Sequence, residues 1–235
     1  MREKPEIVWE MYQSLEKEFL NYLEYVPLSP QHYEVWSYPL VNLFNNVGSS
    51  VDSFFKNAIY CVSLNDYPKI DEIRADDQHS MKLYREIFQT RYKISNKQVF
   101  ELRNYSSIFP FRDWSDQRTP DWWRRYTDIK HDRFRNKEQA TMKATMDALA
   151  GLFSLFITHP ETLSTIIDYN VIHTQLTIDS YKPILLQGEP FENLGPHRIY
   201  LKTGLFGYIF ASAKFSMEDS QKIRILSPEY RGYGY

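Results

Sequence analysis

The sequence predicts a mainly α-helical protein, in which a helical bundle is followed by a smaller segment that contains strands. Before residue 160, apolar residues recur at three- and four-residue steps, the spacing of the buried face of an amphipathic helix. After residue 160, short β-type runs are separated by Gly and Pro, as short strands are. The composition, 43% hydrophobic and 16% aromatic, is typical of a packed globular chain. We therefore expect a helical bundle over residues 1–160 and a strand-rich extension over residues 161–235.

Two long helices are predicted in the N-terminal part. The first follows an apolar stripe from Val8 to Val26, and Pro27 ends it. The second stripe runs from Leu40 to Val62 and passes through Gly48 without losing phase, so we expect close packing at this glycine.

The middle of the chain has weaker patterns. They predict one helix from His79 to Tyr92 and a short one from Asn96 to Arg103. The stretch from Tyr105 to Arg118 mixes aromatic and charged residues without a period, and we expect an ordered loop that lies on the bundle.

Two further helices have recognisable starts. Thr119, Pro120 and Asp121 supply an N-cap, a proline suited to the first turn and a carboxylate favoured at the positive end of the helix dipole. Asn136 and Gln139 have the spacing of a capping box for the next helix. That helix, Met142 to Phe156, is apolar around most of its circumference and should be the central, buried helix.

The last third is expected to begin with a short helix over 161–169. Strands are then predicted at 174–178, 183–186, 197–201 and 205–210. The tail from Pro228 to Tyr235 interleaves Tyr with Arg and Gly, a composition that can stack on single-stranded bases, but a docked or frayed tail is the favoured interpretation.

Charge and motifs exclude several functions. The formal net charge of −2 gives no overall positive field, so any RNA contact must use a local patch. The chain shows no secretory signal and no apolar run long enough to cross a membrane, which predicts a cytoplasmic protein. Nucleotide, dinucleotide and serine-esterase motifs are missing, the scattered histidines lack metal-ligand spacing, and we expect no cofactor and no metal. The single cysteine, Cys61, excludes an intrachain disulfide and is predicted to be buried and inert.

The helix that starts near Asp121 concentrates ionisable side chains. Arg124 and His131 are seven residues apart, about 20° from two full turns, and Asp128 lies between them on the same face. Arg125 falls about 120° off that face, but its long side chain near the helix start can swing across.

Histidine and arginine held together can cleave RNA without a metal. The histidine, here His131, moves a proton to or from the reacting oxygens, and Arg124 or Arg125 stabilises charge on the phosphorus centre. Asp128 would orient the imidazole or raise its pKa. The alternative is an ordinary solvated face, since Trp122, Tyr126 and Ile129 form an apolar ridge on the same helix.

The run from Trp123 to Arg133, followed by an apolar helix that contains Ala148-Leu-Ala-Gly-Leu152, resembles HEPN domains of bacteria. The resemblance implies an α-helical bundle and, in many members, a ribonuclease of a toxin, anti-phage or CRISPR-linked system. Active members carry an arginine and a histidine separated by four to six residues, a spacing that both Arg125 and Arg124 have with His131. They usually have a polar residue after the arginine; Tyr126 follows Arg125, whereas Arg125 follows Arg124. The family commonly dimerises, so that two motifs form one cleft.

Two functional hypotheses result. The first is a metal-independent endoribonuclease of a bacterial defence or toxin-type system, a homodimer that acts on RNA and has an antitoxin or other protein partner. The alternative is a non-catalytic HEPN-like module for protein interaction or regulation.

Overall fold

The computed structural model describes residues 3–65, 67–75, 79–104, 106–169, 171–187 and 190–210. These residues form a mainly helical protein with a small antiparallel sheet, which confirms the predicted fold class at this level. The predicted C-terminal tail lies outside the described residues. The helices are α1 (Pro5–Tyr22), α2 (Tyr38–Ala58), α3 (Ile70–Ala75), α4 (Met81–Tyr92), α5 (Asp121–His131), α6 (Arg133–Asn136), α7 (Met142–Phe156), α8 (Pro160–Asp168) and α9 (Ile178–Leu186).

The centre of the molecule is α7, as the sequence predicts. Nearly every side chain from Met142 to Phe156 is buried, because α2 packs along one side of this helix and α1 and α5 along others. The start of α7 differs from the prediction. Its N-cap is Thr141, whose hydroxyl accepts a hydrogen bond from the backbone N–H of Ala144 at 3.2 Å.

The two predicted N-terminal helices are confirmed with shifted ends. α1 begins with Pro5 in its first turn, where the missing N–H of proline costs nothing, and ends at Tyr22. In α2, the Ser37 hydroxyl accepts from the N–H of Leu40, and a 3-10 turn, Ile59–Cys61, follows the helix.

The sheet contains five strands among the described residues: β1 (Val99–Glu101), β2 (Ser107–Ile108), β3 (Ile172–His173), β4 (Ile199–Lys202) and β5 (Phe206–Phe210). Their order is β2-β1-β5-β4-β3, and every neighbouring pair is antiparallel. Strand β1 pairs with β5 through Phe100 and Gly207, so the sheet crosses the boundary expected at residue 160.

Several local predictions were wrong. The helix expected over 96–103 is a 3-10 turn followed by β1, and the expected loop over 105–118 includes β2 and a 3-10 helix, Arg112–Asp116. The strand expected over 183–186 is the end of α9, which carries Pro183 inside it. Short apolar runs do not distinguish a strand from a buried helix, and tertiary packing decides between them. The strands predicted near 197–201 and 205–210 and the helices predicted over 79–92 and 161–169 are confirmed.

Glu16 joins the first helix to the last hairpin. This buried carboxylate accepts hydrogen bonds from the Tyr12 hydroxyl at 2.9 Å, from the backbone N–H of Gly204 at 3.2 Å and of Leu205 at 3.0 Å, and from the Thr203 hydroxyl. Burial raises the pKa of Glu16, although all four hydrogen bonds act to lower it. The turn between β4 and β5 is thereby fixed against α1.

None of the helices described is both long enough and apolar enough to cross a bilayer.

Candidate functional site at helix α5

Packing fixes the rotation of α5 about its own axis. The buried residues Trp122, Tyr126 and Ile129 face the bundle, as the predicted apolar ridge requires. The Tyr126 ring lies against Gly48 of α2, and the Trp122 indole lies against Gly151 of α7. The Trp122 indole N–H also donates to the carbonyl of Pro110 at 2.8 Å. The opposite face of α5 is consequently turned to solvent.

The start of α5 differs from the predicted cap. Pro120, not Thr119, occupies the N-cap position, and none of the described side chains caps the first turn. Asp121 stands in the first turn, where its carboxylate is favoured by the helix dipole, as expected.

Both candidate arginines bind Asp121. The Nε–H of Arg125 donates to Oδ2 at 2.7 Å, and the guanidinium of Arg124 donates to Oδ1. Burial tends to raise the pKa of Asp121, but the hydrogen bonds and charges of Arg125 and Arg124 outweigh it and lower the pKa. The Arg124 side chain remains 69% exposed and that of Arg125 30% exposed. A ligand that binds these arginines must therefore compete with Asp121.

Asp128 and His131 are also exposed, so Arg124, Asp128 and His131 share the solvent face of α5. No hydrogen bond joins Asp128 to His131 in the part of the chain that the structure describes. The carbonyl of Asp128 instead accepts from the side-chain amide of Asn136 at 2.9 Å. The pairing in which Asp128 orients the imidazole is thus not present in this single chain.

An open polar groove of about 540 Å³ lies beside this face. It runs between α5, the segment before α2 and the segment before α7, which a bridge between Trp36 and Thr141 ties together. His131 is not among its lining residues, which are Glu34, Trp36, Arg124, Arg125, Asp128, Glu138, Gln139 and Thr141.

A second, smaller pocket of about 270 Å³ lies next to Asp121. Its wall includes Asp113, Asp121 and the ion pair of Lys143 with Asp147, in which Nζ and Oδ1 are 2.5 Å apart. Burial raises the pKa of Asp147, although Lys143 acts to lower it. Sequence reasoning missed this pocket, because the only signal for it was a Lys143 and Asp147 pair at helical i,i+4 spacing.

A basic surface follows α5 and was also missed. We define the α5–α6 corner as residues Lys130–Lys137, in which Asp132 is the one acidic residue. The side chains of Lys130, Arg133 and Arg135 are exposed and that of Lys137 is half-buried; none of these four cations has a carboxylate within 4.0 Å among the described residues. The signal was visible in the sequence as a run of alternating basic residues.

Cys61 is half-buried rather than fully buried as predicted. Its thiol donates to Oε1 of Glu161 at 3.3 Å, and burial raises the pKa of the thiol, which keeps it protonated and a weak nucleophile. Within the described ranges, no group of three or more His, Cys, Asp or Glu side chains is arranged to hold a metal ion.

Comparison of the chain with protein-family models, with curated proteins and with solved structures gives no match. The resemblance to HEPN domains stays a prediction from the sequence.

Proposed function

We propose that the chain is a HEPN-like, metal-independent endoribonuclease. The observation that carries the proposal is the position of Arg124, Asp128 and His131 on one exposed face of α5, beside an open groove that Arg124 and Asp128 help to line. A phosphodiester backbone can reach such a face without any movement of the core.

The reaction would be an internal transesterification. The 2′-oxygen of a ribose forms a bond to phosphorus while the bond from phosphorus to the 5′-oxygen breaks, which gives a 2′,3′-cyclic phosphate and a free 5′-hydroxyl. His131 would take the proton of the 2′-hydroxyl or give one to the leaving oxygen. Arg124 or Arg125 would neutralise charge on the non-bridging oxygens, where a bidentate guanidinium is well suited.

A homodimer suits this chemistry because the step needs a base and an acid at once. One chain offers one histidine on this face, and a second copy would supply the other. Asp128 would act as a positioning residue for the imidazole. The proposal includes a cytoplasmic location, a defence or toxin-type role and an antitoxin or similar protein partner.

The test is cleavage of an unstructured RNA by purified protein in EDTA. We expect wild type to cut and His131→Ala and the Arg124→Ala/Arg125→Ala double variant to lose activity by about 100-fold or more. His197→Ala is the matched control, since His197 is an exposed histidine far from α5 in sequence. Products should end in a cyclic phosphate. Equal activity of all variants would place the activity elsewhere and defeat the proposal.

A second candidate is a non-catalytic interaction module. Both arginines are ion-paired to Asp121, His131 stands outside the groove, and the groove lining has three carboxylates against two guanidinium groups. This mixed charge suits a polar peptide better than a polyanion. Two results would favour the module. Well-folded wild-type protein would neither cut nor bind RNA, and it would bind a protein partner in an interaction that Arg125→Ala abolishes.

A further inference from the structure

We propose that the α5–α6 corner binds single-stranded RNA, with one unpaired base stacked on Phe134 and the flanking phosphates held by the surrounding cations. The inference deepens the proposed function, since it rests on RNA as the substrate and names the form of RNA. It concerns binding, so its test does not depend on cleavage.

Phe134 is the most exposed large apolar side chain of the described residues, at 87%. No aromatic ring of those residues packs on it. Exposure of a whole phenyl ring in a folded protein loses the free energy that burial would provide, so the ring is available to a ligand.

The backbone under Phe134 is held in place. Asp132 caps α6 by accepting from the N–H of Arg135 at 3.1 Å, and the Asn136 side chain donates to the Asp128 carbonyl at 2.9 Å. The ammonium group of Lys137 donates to the carbonyl of Phe134 itself at 3.2 Å. The ring therefore projects from an ordered turn, and a ligand does not have to order the turn on binding.

The charge around the ring is not neutralised. Arg124, Arg125 and Lys143 each lie within 4.0 Å of a carboxylate, whereas Lys130, Arg133, Arg135 and Lys137 do not in the described part of the chain. The Asp132 carboxylate is used as the helix cap. In a chain with a formal net charge of −2, this corner is a local positive patch. Phosphate binding there would release counterions.

This combination favours a single strand over other occupants. The centre of a protein interface is depleted in lysine, but Lys130 and Lys137 flank Phe134 in the sequence of the corner. A duplex hides the faces of its bases, whereas an unpaired base offers one for stacking on an aromatic ring. His131 precedes Phe134 by three residues, so a base stacked here would hold the adjoining phosphodiester near the proposed catalytic face.

The test measures fluorescence anisotropy of a labelled, unstructured RNA oligonucleotide in EDTA, with every protein in the His131→Ala background to prevent cleavage. We expect Phe134→Ala to weaken binding by about fivefold or more and Phe134→Trp to retain it. Tyr25→Ala is the matched control, because Tyr25 is 86% exposed and lies outside the corner. An oligonucleotide with abasic positions should bind equally well to the proteins with and without Phe134→Ala. The affinity for a duplex should likewise be unaffected by Phe134→Ala.

The cations have their own readout. Arg135→Gln and Lys137→Gln should each reduce the slope of log affinity against log salt by about 0.7, while Lys17→Gln, which replaces an exposed lysine on α1, leaves the slope unchanged. Arginine and lysine variants that keep the wild-type slope would overturn the phosphate contacts.

Three outcomes distinguish the proposals. Affinity that is equal for Phe134→Ala and wild type overturns the stacking site, and a change in the sedimentation mass of the protein alone would then assign Phe134 to a protein interface. If RNA binding depends on Phe134 but the wild-type protein cleaves no RNA, the stacking site is supported and the nuclease proposal is overturned. If cleavage depends on His131 but Phe134→Ala has no effect on RNA binding, the nuclease proposal is supported and the stacking site is overturned.

Discussion

The aromatic ring of Tyr126 occupies the space in which a Cβ atom of Gly48 would lie. A Cβ at Gly151 would similarly approach Cζ2 of Trp122 to 2.9 Å, closer than real Cβ contacts. Two glycines in two neighbouring helices thus accept two rings from the buried face of α5. This packing determines which side chains of α5 reach solvent.

The contact between Tyr126 and Gly48 predicts the effect of Gly48→Ala. We expect a loss of stability of about 1–3 kcal/mol, because overpacking outweighs the better helix propensity of alanine. Urea unfolding measures the change, with the exposed α2 variant Ser53→Ala as control. The double variant with Tyr126→Leu should lose less free energy of unfolding than the two single variants lose together. Additive effects would show that the ring does not limit the space at Gly48.

Asp121→Asn tests the competition for the arginines. Removal of the carboxylate charge should free Arg124 and Arg125 and raise the affinity for RNA severalfold at low salt. Stability should fall by no more than about 1 kcal/mol, because the pairs are partly exposed. Asp116→Asn, which removes the charge of another exposed carboxylate, is the control. Unchanged or weaker RNA binding would show that these arginines do not contact the phosphates.

Glu16→Ala tests the junction between α1 and the β4–β5 turn. The variant removes the acceptor of the N–H groups of Gly204 and Leu205 and one of the two acceptors of the Thr203 hydroxyl, which should cost about 2–4 kcal/mol. Urea unfolding gives the value. Glu18→Ala, at an exposed position of α1, should change stability by less than about 0.5 kcal/mol. Similar small losses in both would mean that the junction is dispensable.

The raised pKa of Glu16 predicts a pH dependence of stability. The folded-state pKa exceeds the unfolded value of about 4.3, so the contribution of this group is fully present below that value and is lost as pH rises through the folded pKa. Unfolding of wild type and Glu16→Gln at several pH values isolates the effect, since the other titrations cancel. The difference should move in favour of wild type as pH falls from 7 towards 4. A difference that is independent of pH would contradict the raised pKa.

Sequence reasoning predicted the solvent face of α5 and missed the partners of its residues. The exposure of Arg124 and His131 follows from spacing on one helix, which is a local property. The ion pairs with Asp121 do not follow from the spacing alone, although Asp121 lies three and four residues before the arginines, because a long exposed arginine side chain can bind either a neighbouring carboxylate or a phosphate. The α5–α6 corner is visible in the sequence as a basic run, but only the structure shows that its cations have no carboxylate partner among the described residues.

The amino-acid sequence by itself determined α2, the buried α7, the close packing at Gly48 and the two faces of α5. Each depends on a repeat of about 3.6 residues or on one small residue within it, and such patterns are local. Only the tertiary structure decided the pairing of Phe100 with Gly207 and the burial of Glu16 beneath residues 203–205. Residues so far apart in sequence carry no periodic signal that matches one to the other, and their contact exists only once the helices have packed and brought the hairpin to α1.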